Sequence, residues 1–171
     1  AKAAVIAGAA CIVAESNPIA AEKRHQQGWV EYLAYDVDEA IDKMLAASKQ
    51  KIGTSIGYVG NIVDLWERIV ERDVFIHLGS DQTSLHNPYQ GGYFPAGLSF
   101  EESQEMMHED PEEFKESVQA SLRRHVAAIN NRVERGMFFW DYGNAFLLES
   151  GRAGADVFVR EGVYRYPSYV E

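Results

Sequence analysis

The sequence predicts an α/β domain in which helices cover both faces of a mainly parallel sheet, a three-layer arrangement. Two observations lead to this prediction: short apolar runs alternate with segments whose apolar residues recur at helical spacing, and helix-start signals separate them. Strands that alternate with helices favour parallel pairing, because each helix carries the chain back across the sheet. The 171 residues correspond in length to one ordinary domain, so we expect residues 1–171 to form a single domain.

The first part of the chain alternates helices and strands closely. Residues 1–7 are rich in alanine and end at Gly8, which predicts a helix, and residues 11–14 form an apolar run typical of a buried strand. Asn17-Pro18 combines a capping side chain with proline in the first turn, so a helix should run to about residue 26. Further strands are expected at residues 29–34 and 53–59, and further helices begin near residues 36 and 62.

The second part continues this alternation around a long loop. A strand is expected at residues 74–78, and residues 79–98 then contain four glycines and two prolines, a connection longer than is usual. Ser99 with Glu102 and Asp110-Pro111 with Glu113 are two helix starts, the second opening a long helix. Strands at residues 137–141 and 156–159 are expected on either side of a short helix at residues 145–149.

The composition excludes several partners. With 26 acidic against 16 basic residues, the net charge of −10 would repel a phosphate backbone, so no nucleic acid partner is expected. Cys11 is the only cysteine, so no internal disulfide can form. The apolar stretch at residues 3–14 is too short to span a membrane and lacks the basic start of a signal peptide. We therefore expect a soluble, cytoplasmic protein.

Polar and glycine residues collect after the expected strands, where parallel α/β sheets bind ligands. They are Glu15, Gly60-Asn61, residues 80–87 and residues 141–144. Glu15 stands where a dinucleotide-binding fold places an acid for the ribose hydroxyls, although an ordinary strand-end carboxylate is the alternative. The glycine fingerprint that should precede this acid is absent, so the first strand and its glycine loop are expected to lie before residue 1.

Residues 81–86 place five polar side chains at a strand-to-loop transition, where they could clasp a phosphate, an amide or a ribose, or form a merely structural turn. Ser84 and His86 lack the sequence context of a nucleophilic triad. A metal site using His77, Asp81 and His86 lacks a recognised ligand spacing, so no metal is expected. Tyr142 lies past a strand end, where its ring could pack on a ligand.

Four segments together resemble the urocanase family: G-Y-V-G-N-I-V-D-L-W-E-R at 57–68, G-S-D-Q-T-S-L-H-N-P at 79–88, W-D-Y-G-N-A-F-L-L-E at 140–149 and R-Y-P-S-Y-V at 165–170. Their order and spacing extend the resemblance over essentially the whole chain. The resemblance implies a Rossmann-like domain inserted in a larger chain, which holds a tightly bound NAD⁺ against a flanking core domain. The parent enzyme is expected to be a homodimer.

Matching the motifs residue by residue implies where the cofactor is contacted. The implied NAD⁺-binding residues are Glu15, Asn61, Ile62, Gln82, Thr83, Ser84, Leu85, His86, Tyr93, Phe94 and Tyr142. Two positions depart from some family members: Ala20 stands in place of an arginine, so Lys23 or Arg24 is expected to serve the phosphates instead, and the loop between His86 and Tyr93 is one residue longer.

The resemblance also implies a reaction. In urocanases NAD⁺ is an electrophile for the imidazole of urocanate, water adds to give imidazolonepropionate, and no net hydride transfer occurs, a step of histidine degradation. The catalytic residues are expected in flanking sequence, so this domain alone should be inactive. The alternatives are a free-standing NAD(P)-dependent oxidoreductase of Rossmann type and a non-catalytic nucleotide-binding or interaction module.

Overall fold

The chain forms two compact units in a computed structural model that describes residues 1–169. The first unit is Ala1–Arg68, and the second begins at Ile69. Val170, the last residue of the closing urocanase-like segment, lies outside the described residues. The two units are described separately.

The first unit contains a parallel sheet with the strand order β1-β3-β2. Its elements are α1 (Lys2–Ile6), β1 (Ala10–Glu15), α2 (Pro18–Gln26), β2 (Tyr32–Ala34), α3 (Val37–Gln50), β3 (Thr54–Val59) and α4 (Ile62–Glu71), whose last turn belongs to the second unit. Glu15 pairs with Val59 in the ladder, so β1 and β3 end at the same edge of the sheet.

Capping side chains explain where the helices of this unit begin. The Asn17 side chain accepts hydrogen bonds from the amides of Ile19 and Ala20 at the start of α2, and Asp36 accepts one from Glu39 at the start of α3. These bonds satisfy amides that have no partner within their own helix. The fully buried side chains of this unit are those of Ala34, Ala40, Ile41, Ile56 and Val63.

The second unit contains a pair of parallel strands packed near a long helix. Its elements are β4 (Leu78–Asp81), α5 (Phe100–Glu109), α6 (Pro111–Glu134), β5 (Phe138–Asp141), α7 (Phe146–Arg152), β6 (Phe158–Arg160) and β7 (Val163–Tyr164). β4 and β5 pair in register from Leu78 with Phe138 to Asp81 with Asp141. The core lies along α6 and α7 and includes the fully buried Phe114, Val118, Leu122, Ile129 and Phe146. The α/β class and the parallel pairing predicted from the sequence are confirmed.

The strand expected at residues 74–78 was placed too early. Val74 instead closes the end of α4, because its amide donates to the carbonyl of Ile69, and its own carbonyl accepts a hydrogen bond from Arg132. The strand begins only at Leu78, the first residue with a partner in β5. Apolar character alone predicted a strand, whereas the ladder partner determines where it starts.

The last strand, expected at residues 156–159, also differs from the prediction in its pairing. The strand is β6, and it pairs antiparallel with β7 in a hairpin rather than joining a parallel sheet. Gly162 adopts φ 73° in the connection, which reverses the chain within a few residues. In the described part of the chain, no helix has the length and apolar character needed to cross a bilayer.

Candidate functional site

Glu15 and the Gly60-Asn61 turn meet at the strand ends of the first unit. The backbone carbonyl of Glu15 accepts a hydrogen bond of 3.0 Å from the amide of Gly60. The Glu15 carboxylate accepts another of 3.0 Å at Oε1 from the amide of Asn17. The side chain is half-buried and held close to the turn, so the structure brings these two predicted positions together.

Gly60 lies close to the side chain of Tyr58. A Cβ atom on Gly60 would lie 2.3 Å from Tyr58 Cζ and 2.4 Å from its hydroxyl oxygen, closer than any real contact. The next residue, Asn61, is buried, and its Oδ1 accepts a 2.9 Å hydrogen bond from the amide of Val63 at the start of α4. Ile62 is half-buried in the first turn of that helix. The turn is therefore a tightly packed connection between β3 and α4.

Asp81 and Asp141 occupy the corresponding strand ends in the second unit. They pair in register, and both side chains are buried. Asp81 Oδ1 accepts hydrogen bonds from the Thr83 amide at 3.0 Å, the Thr83 hydroxyl at 2.7 Å and Asn144 Nδ2 at 2.7 Å. Asp141 Oδ1 accepts from the Gly143 amide at 2.9 Å. Each carboxylate therefore organises the loop that follows its own strand.

Asn144 connects these two loops. Besides its bond to Asp81, Asn144 Nδ2 donates to the backbone carbonyl of Thr83. Gly143 and Ala145 on either side of Asn144 have positive φ values of 94° and 67°, which turn the backbone sharply. The two strand-end loops at residues 80–87 and 141–144 thus meet within the second unit.

The surroundings of this cluster shift the pKa of one of its acids. Burial raises the pKa of the Asp81 carboxyl, and the neighbouring Asp141 raises it further, whereas hydrogen bonds from Thr83 and Asn144 act in the opposite direction. Asp81 Oδ2 is buried without a hydrogen-bond partner, and so is Asn144 Oδ1. Asp81 therefore has one oxygen that accepts from three donors and one oxygen that has no partner.

The segment from Gln82 to His86 presents alternate side chains to solvent. Gln82, Ser84 and His86 are exposed, Thr83 is half-buried, and Leu85 is fully buried. The side chain of Leu85 is therefore part of the core, and only its backbone remains for a ligand. The exposed side chains offer an amide, a hydroxyl and an imidazole, which can donate and accept hydrogen bonds.

Gly92 folds the rest of the long loop against this segment. The Ser84 amide donates to the Gly92 carbonyl at 3.1 Å, and the Gly92 amide donates to the Asn87 carbonyl at 3.1 Å. A Cβ on Gly92 would lie 2.1 Å from the Ser84 carbonyl oxygen and 2.5 Å from that of Asn87. Only glycine allows the chain to pass so close to residues 84–87.

Tyr93 and Phe94 follow this contact and face inward. Tyr93 is buried, and its hydroxyl lies 3.2 Å from Nδ1 of His125 on α6. Burial lowers the pKa of His125 to about 3, so its imidazole is neutral near neutral pH. Phe94 is half-buried against Phe100, with ring centroids 4.9 Å apart. His125 is therefore a buried core partner of Tyr93.

Tyr142 is an exposed aromatic side chain at the edge of the site. It is 53% exposed, and its ring stacks on Tyr169 with centroids 6.5 Å apart and planes within 10°. The Tyr169 amide donates to the carbonyl of Asp141, which holds the C-terminal segment beside β5. The sequence did not identify Tyr169 as a neighbour of Tyr142. The one indication was that Tyr169 belongs to the closing segment R-Y-P-S-Y-V at 165–170.

The described residues 1–169 contain no group of three or more histidine, cysteine, aspartate or glutamate side chains that could hold a metal ion. Cys11 is half-buried, and burial raises the pKa of its thiol. A raised pKa leaves little thiolate near neutral pH, so this cysteine is a poor nucleophile.

Parallel strands, helical crossovers and polar loops at the strand ends define a Rossmann-like domain. A family model of the urocanase Rossmann-like domain matches residues 1–171. The chain belongs to the urocanase family.

Curated relatives agree with this assignment. Over 99% of its own residues, the chain is 53% identical to a probable urocanate hydratase of Dictyostelium discoideum. Over all of its own residues, it is 51% identical to the urocanate hydratase of Mus musculus. Over 87% of its own residues, the chain is 32% identical to an S-methyl thiourocanate hydratase of a Variovorax strain. The chain spans only about a quarter of each relative, 26% of the first two and 27% of the third.

Proposed function

We propose that this chain is the NAD⁺-binding domain of a urocanate hydratase. The observation that supports the proposal most strongly is the junction made by Asn144, which holds the Gln82 and Tyr142 loops together at one edge of the β4–β5 pair. Such an edge is where Rossmann-like domains bind dinucleotides. The residues proposed to contact NAD⁺ are Glu15, Asn61, Ile62, Gln82, Thr83, Ser84, Leu85, His86, Tyr93, Phe94 and Tyr142.

The side chains available in these loops fit the groups of a dinucleotide. The Glu15 carboxylate uses Oε1 for Asn17, which leaves Oε2 to accept from ribose hydroxyls. Gln82, Ser84 and His86 are exposed and can hydrogen bond to amide, hydroxyl or phosphate groups. The exposed ring of Tyr142 can stack on a planar ring.

Four of the proposed contacts are restricted by their packing. Leu85 and Tyr93 have side chains buried in the core, so they would reach the cofactor through backbone groups. Asn61 is committed to capping α4, and Phe94 packs against Phe100. We therefore expect the side chains of Gln82 and Tyr142 to contribute more to NAD⁺ affinity by direct contact than the side chains of Leu85 or Phe94.

When bound, NAD⁺ supplies an electron sink for the imidazole ring of urocanate, to which water is added. The residues of this chain bind and orient the cofactor. We place the substrate-binding and acid–base groups, and hence the hydratase activity, in a longer urocanase chain of which this domain is one part. That chain is proposed to be a cytoplasmic homodimer acting in histidine degradation, in which residues 1–171 act as one domain against a flanking core domain.

The relatives' names support a cofactor role over a substrate-binding role. Relatives named for urocanate and for S-methyl thiourocanate both share this domain. A domain common to hydratases of two substrates is expected to serve the step that both reactions share. The same names favour a hydratase over a free-standing oxidoreductase and over a non-catalytic module.

The proposal is tested by calorimetric titration of the chain with NAD⁺. We expect saturable binding that Gln82→Ala and Tyr142→Ala each weaken by about tenfold, the effect of losing one good polar or stacking contact. Gln104→Ala on the exposed surface of α5 and Tyr164→Ala in the β6–β7 hairpin remove the same side chains elsewhere and serve as controls. Binding that all four variants leave unchanged, or the absence of binding by the wild-type chain, would contradict the proposal.

A further inference from the structure

Gln82 and Tyr142 occupy equivalent places in two turns of the same construction. In each turn an aspartate at the end of a strand accepts a hydrogen bond from the amide two residues later. Asp81 accepts from Thr83 at 3.0 Å, and Asp141 accepts from Gly143 at 2.9 Å. This geometry is an Asx turn, in which the middle residue makes none of the closing bonds. Gln82 and Tyr142 are the two middle residues, and both are exposed.

Asn144 is the residue that ties the first turn to the second. Its side-chain nitrogen donates one hydrogen bond to Asp81 Oδ1 and another to the Thr83 carbonyl, so both amide protons are used on the first turn. Its backbone lies in the second turn, where its amide is 3.5 Å from Asp141 Oδ1. Because the amide group is planar, two fixed acceptors leave it little freedom to rotate.

The surroundings of Asn144 make these bonds hard to replace. Asn144 is 9% exposed and Asp81 is 2% exposed, so water cannot readily substitute for a lost donor. A buried acceptor that loses its donor carries the full cost of its desolvation. The spacing between the two turns is therefore expected to depend on this one side chain.

We propose that Asn144 is a positioning residue for the cofactor, one that holds the Gln82 turn and the Tyr142 turn in a fixed relation so that both side chains meet the same ligand. The inference rests on the proposed NAD⁺ site but assigns a role to a residue outside its contacts. Asp81 is the acceptor on which this connection depends. Asn144 itself is buried and contacts the ligand-facing turns rather than the ligand.

The first variants compare two asparagines. Asn144→Ala removes the connection, and Asn130→Ala on α6 removes an equally bonded asparagine, which donates to the Asp156 carbonyl and accepts from Tyr166. We expect Asn144→Ala to weaken NAD⁺ binding about tenfold, because the turns are no longer preorganised, and Asn130→Ala to leave the affinity within about twofold. Similar losses of affinity in both variants would mean that Asn144 acts only through general stability, which would overturn the inference.

A second pair of variants tests Asp81 as the acceptor. Asp81→Asn keeps an oxygen for Thr83 and Asn144, so it should bind NAD⁺ almost as well as the wild type. Asp81→Ala should lose at least as much affinity as Asn144→Ala, because it also removes the Thr83 bonds that close the Gln82 turn, and adding Asn144→Ala to it should cost little more, because the connection is already broken. Fully additive losses would show that the two residues act independently.

Amide hydrogen exchange provides a readout that does not require cofactor. In Asn144→Ala, exchange at the amides of both Thr83 and Gly143 should accelerate at least about fivefold, whereas Asn130→Ala should change neither. Unchanged exchange at Thr83 overturns the inference whether or not NAD⁺ binds. Faster exchange in a chain that does not bind NAD⁺ would support the connection between the turns and refute only the proposed function. Wild-type binding that survives Asn144→Ala would refute only the inference.

Discussion

Asp81 and Asp141 lie side by side at the ends of two parallel strands, and both carboxyl groups are buried. Two charges so close in a medium of low dielectric constant repel each other and cannot be solvated by bulk water. The pair differs in its donors: three groups donate to a single oxygen of Asp81, whereas backbone amides surround Asp141. The two acids therefore differ in their surroundings, and burial raises the pKa of the Asp81 carboxyl.

This relationship predicts a specific pH dependence of stability. Burial and Asp141 raise the pKa of Asp81 in the folded chain above its value in the unfolded chain. The folded state therefore holds this proton more tightly, and its stabilising effect is present at acidic pH and is lost as pH rises through the folded pKa. Asp81→Asn cannot lose a proton, so its stability relative to wild type should increase as the pH is raised.

Urea unfolding of wild type and Asp81→Asn between about pH 4 and pH 8 measures this difference. Glu112→Gln, an exposed position in the first turn of α6, is a matched change from carboxylate to amide. Parallel curves for wild type and Asp81→Asn would show that Asp81 does not hold a proton more tightly in the folded chain.

The buried His125 should give a pH dependence of stability of the opposite sign. Burial lowers its pKa from 6.5 to about 3, so folding favours the neutral imidazole. The stabilisation is complete above pH 6.5 and is lost as the pH falls toward about 3. His125→Phe removes the titrating group and should flatten the acid limb of the stability curve, at the cost of the contact with Tyr93. His108→Gln on the exposed end of α5 is the control, and it should follow the wild-type curve.

Gly92 predicts a steric effect on the long loop. Gly92→Ala places a methyl group against the carbonyl oxygens of Ser84 and Asn87, at 2.1 Å and 2.5 Å, so the backbone must move. Overpacking of this kind costs about 1–3 kcal/mol, and we expect a value near the upper end because both neighbours are backbone atoms. NAD⁺ affinity should fall as well, since the displaced residues include Ser84.

Gly97→Ala is the comparison for this prediction. Gly97 has φ 87° but open space around its Cβ position, so alanine there introduces backbone strain without a collision. Denaturant unfolding should show a loss of about 1 kcal/mol at Gly97, smaller than the loss at Gly92. Equal losses would indicate that the close approach to residues 84–87 is not a constraint.

Substitution of Tyr169 should affect NAD⁺ binding indirectly, through the ring of Tyr142. Its ring stacks on Tyr142, and removing it in Tyr169→Ala should free the Tyr142 side chain and weaken NAD⁺ binding about threefold, the scale of a single aromatic contact. Tyr169→Phe keeps the ring and should bind as wild type. The measurement is a calorimetric titration of the three proteins, and equal affinity of Tyr169→Ala and wild type would contradict the prediction.

Local hydrogen bonding explains which elements could be predicted. Asn17, Ser99 and Asp110 begin helices by bonding to amides two or three residues away, so the sequence contains the whole signal. The start of β4 could not be predicted in this way. Residues 74–77 are as apolar as a strand, but the carbonyl of Val74 is satisfied by Arg132, which is 58 residues away.

The same distinction applies to the candidate site. The positions of Gln82 and Tyr142 after strands were visible in the sequence, and so was the polar character of their neighbours. The connection through Asn144 depends on the register that sets Asp81 beside Asp141, which only the fold reveals. The burial of Leu85 and Tyr93 was hidden for the same reason, because an apolar or aromatic residue in a loop motif has no marker of which way it faces.

In the two Asx turns, the residues that hold the backbone in place are not the residues whose side chains are exposed. The closing bonds come from Asp81 and Thr83 in one turn and from Asp141 and Gly143 in the other, so positions 82 and 142 can change without removing any of them. A library restricted to these two positions would therefore sample new side chains on an intact scaffold. For protein engineering, this makes the pair a natural starting point for adapting the proposed cofactor site to modified dinucleotides.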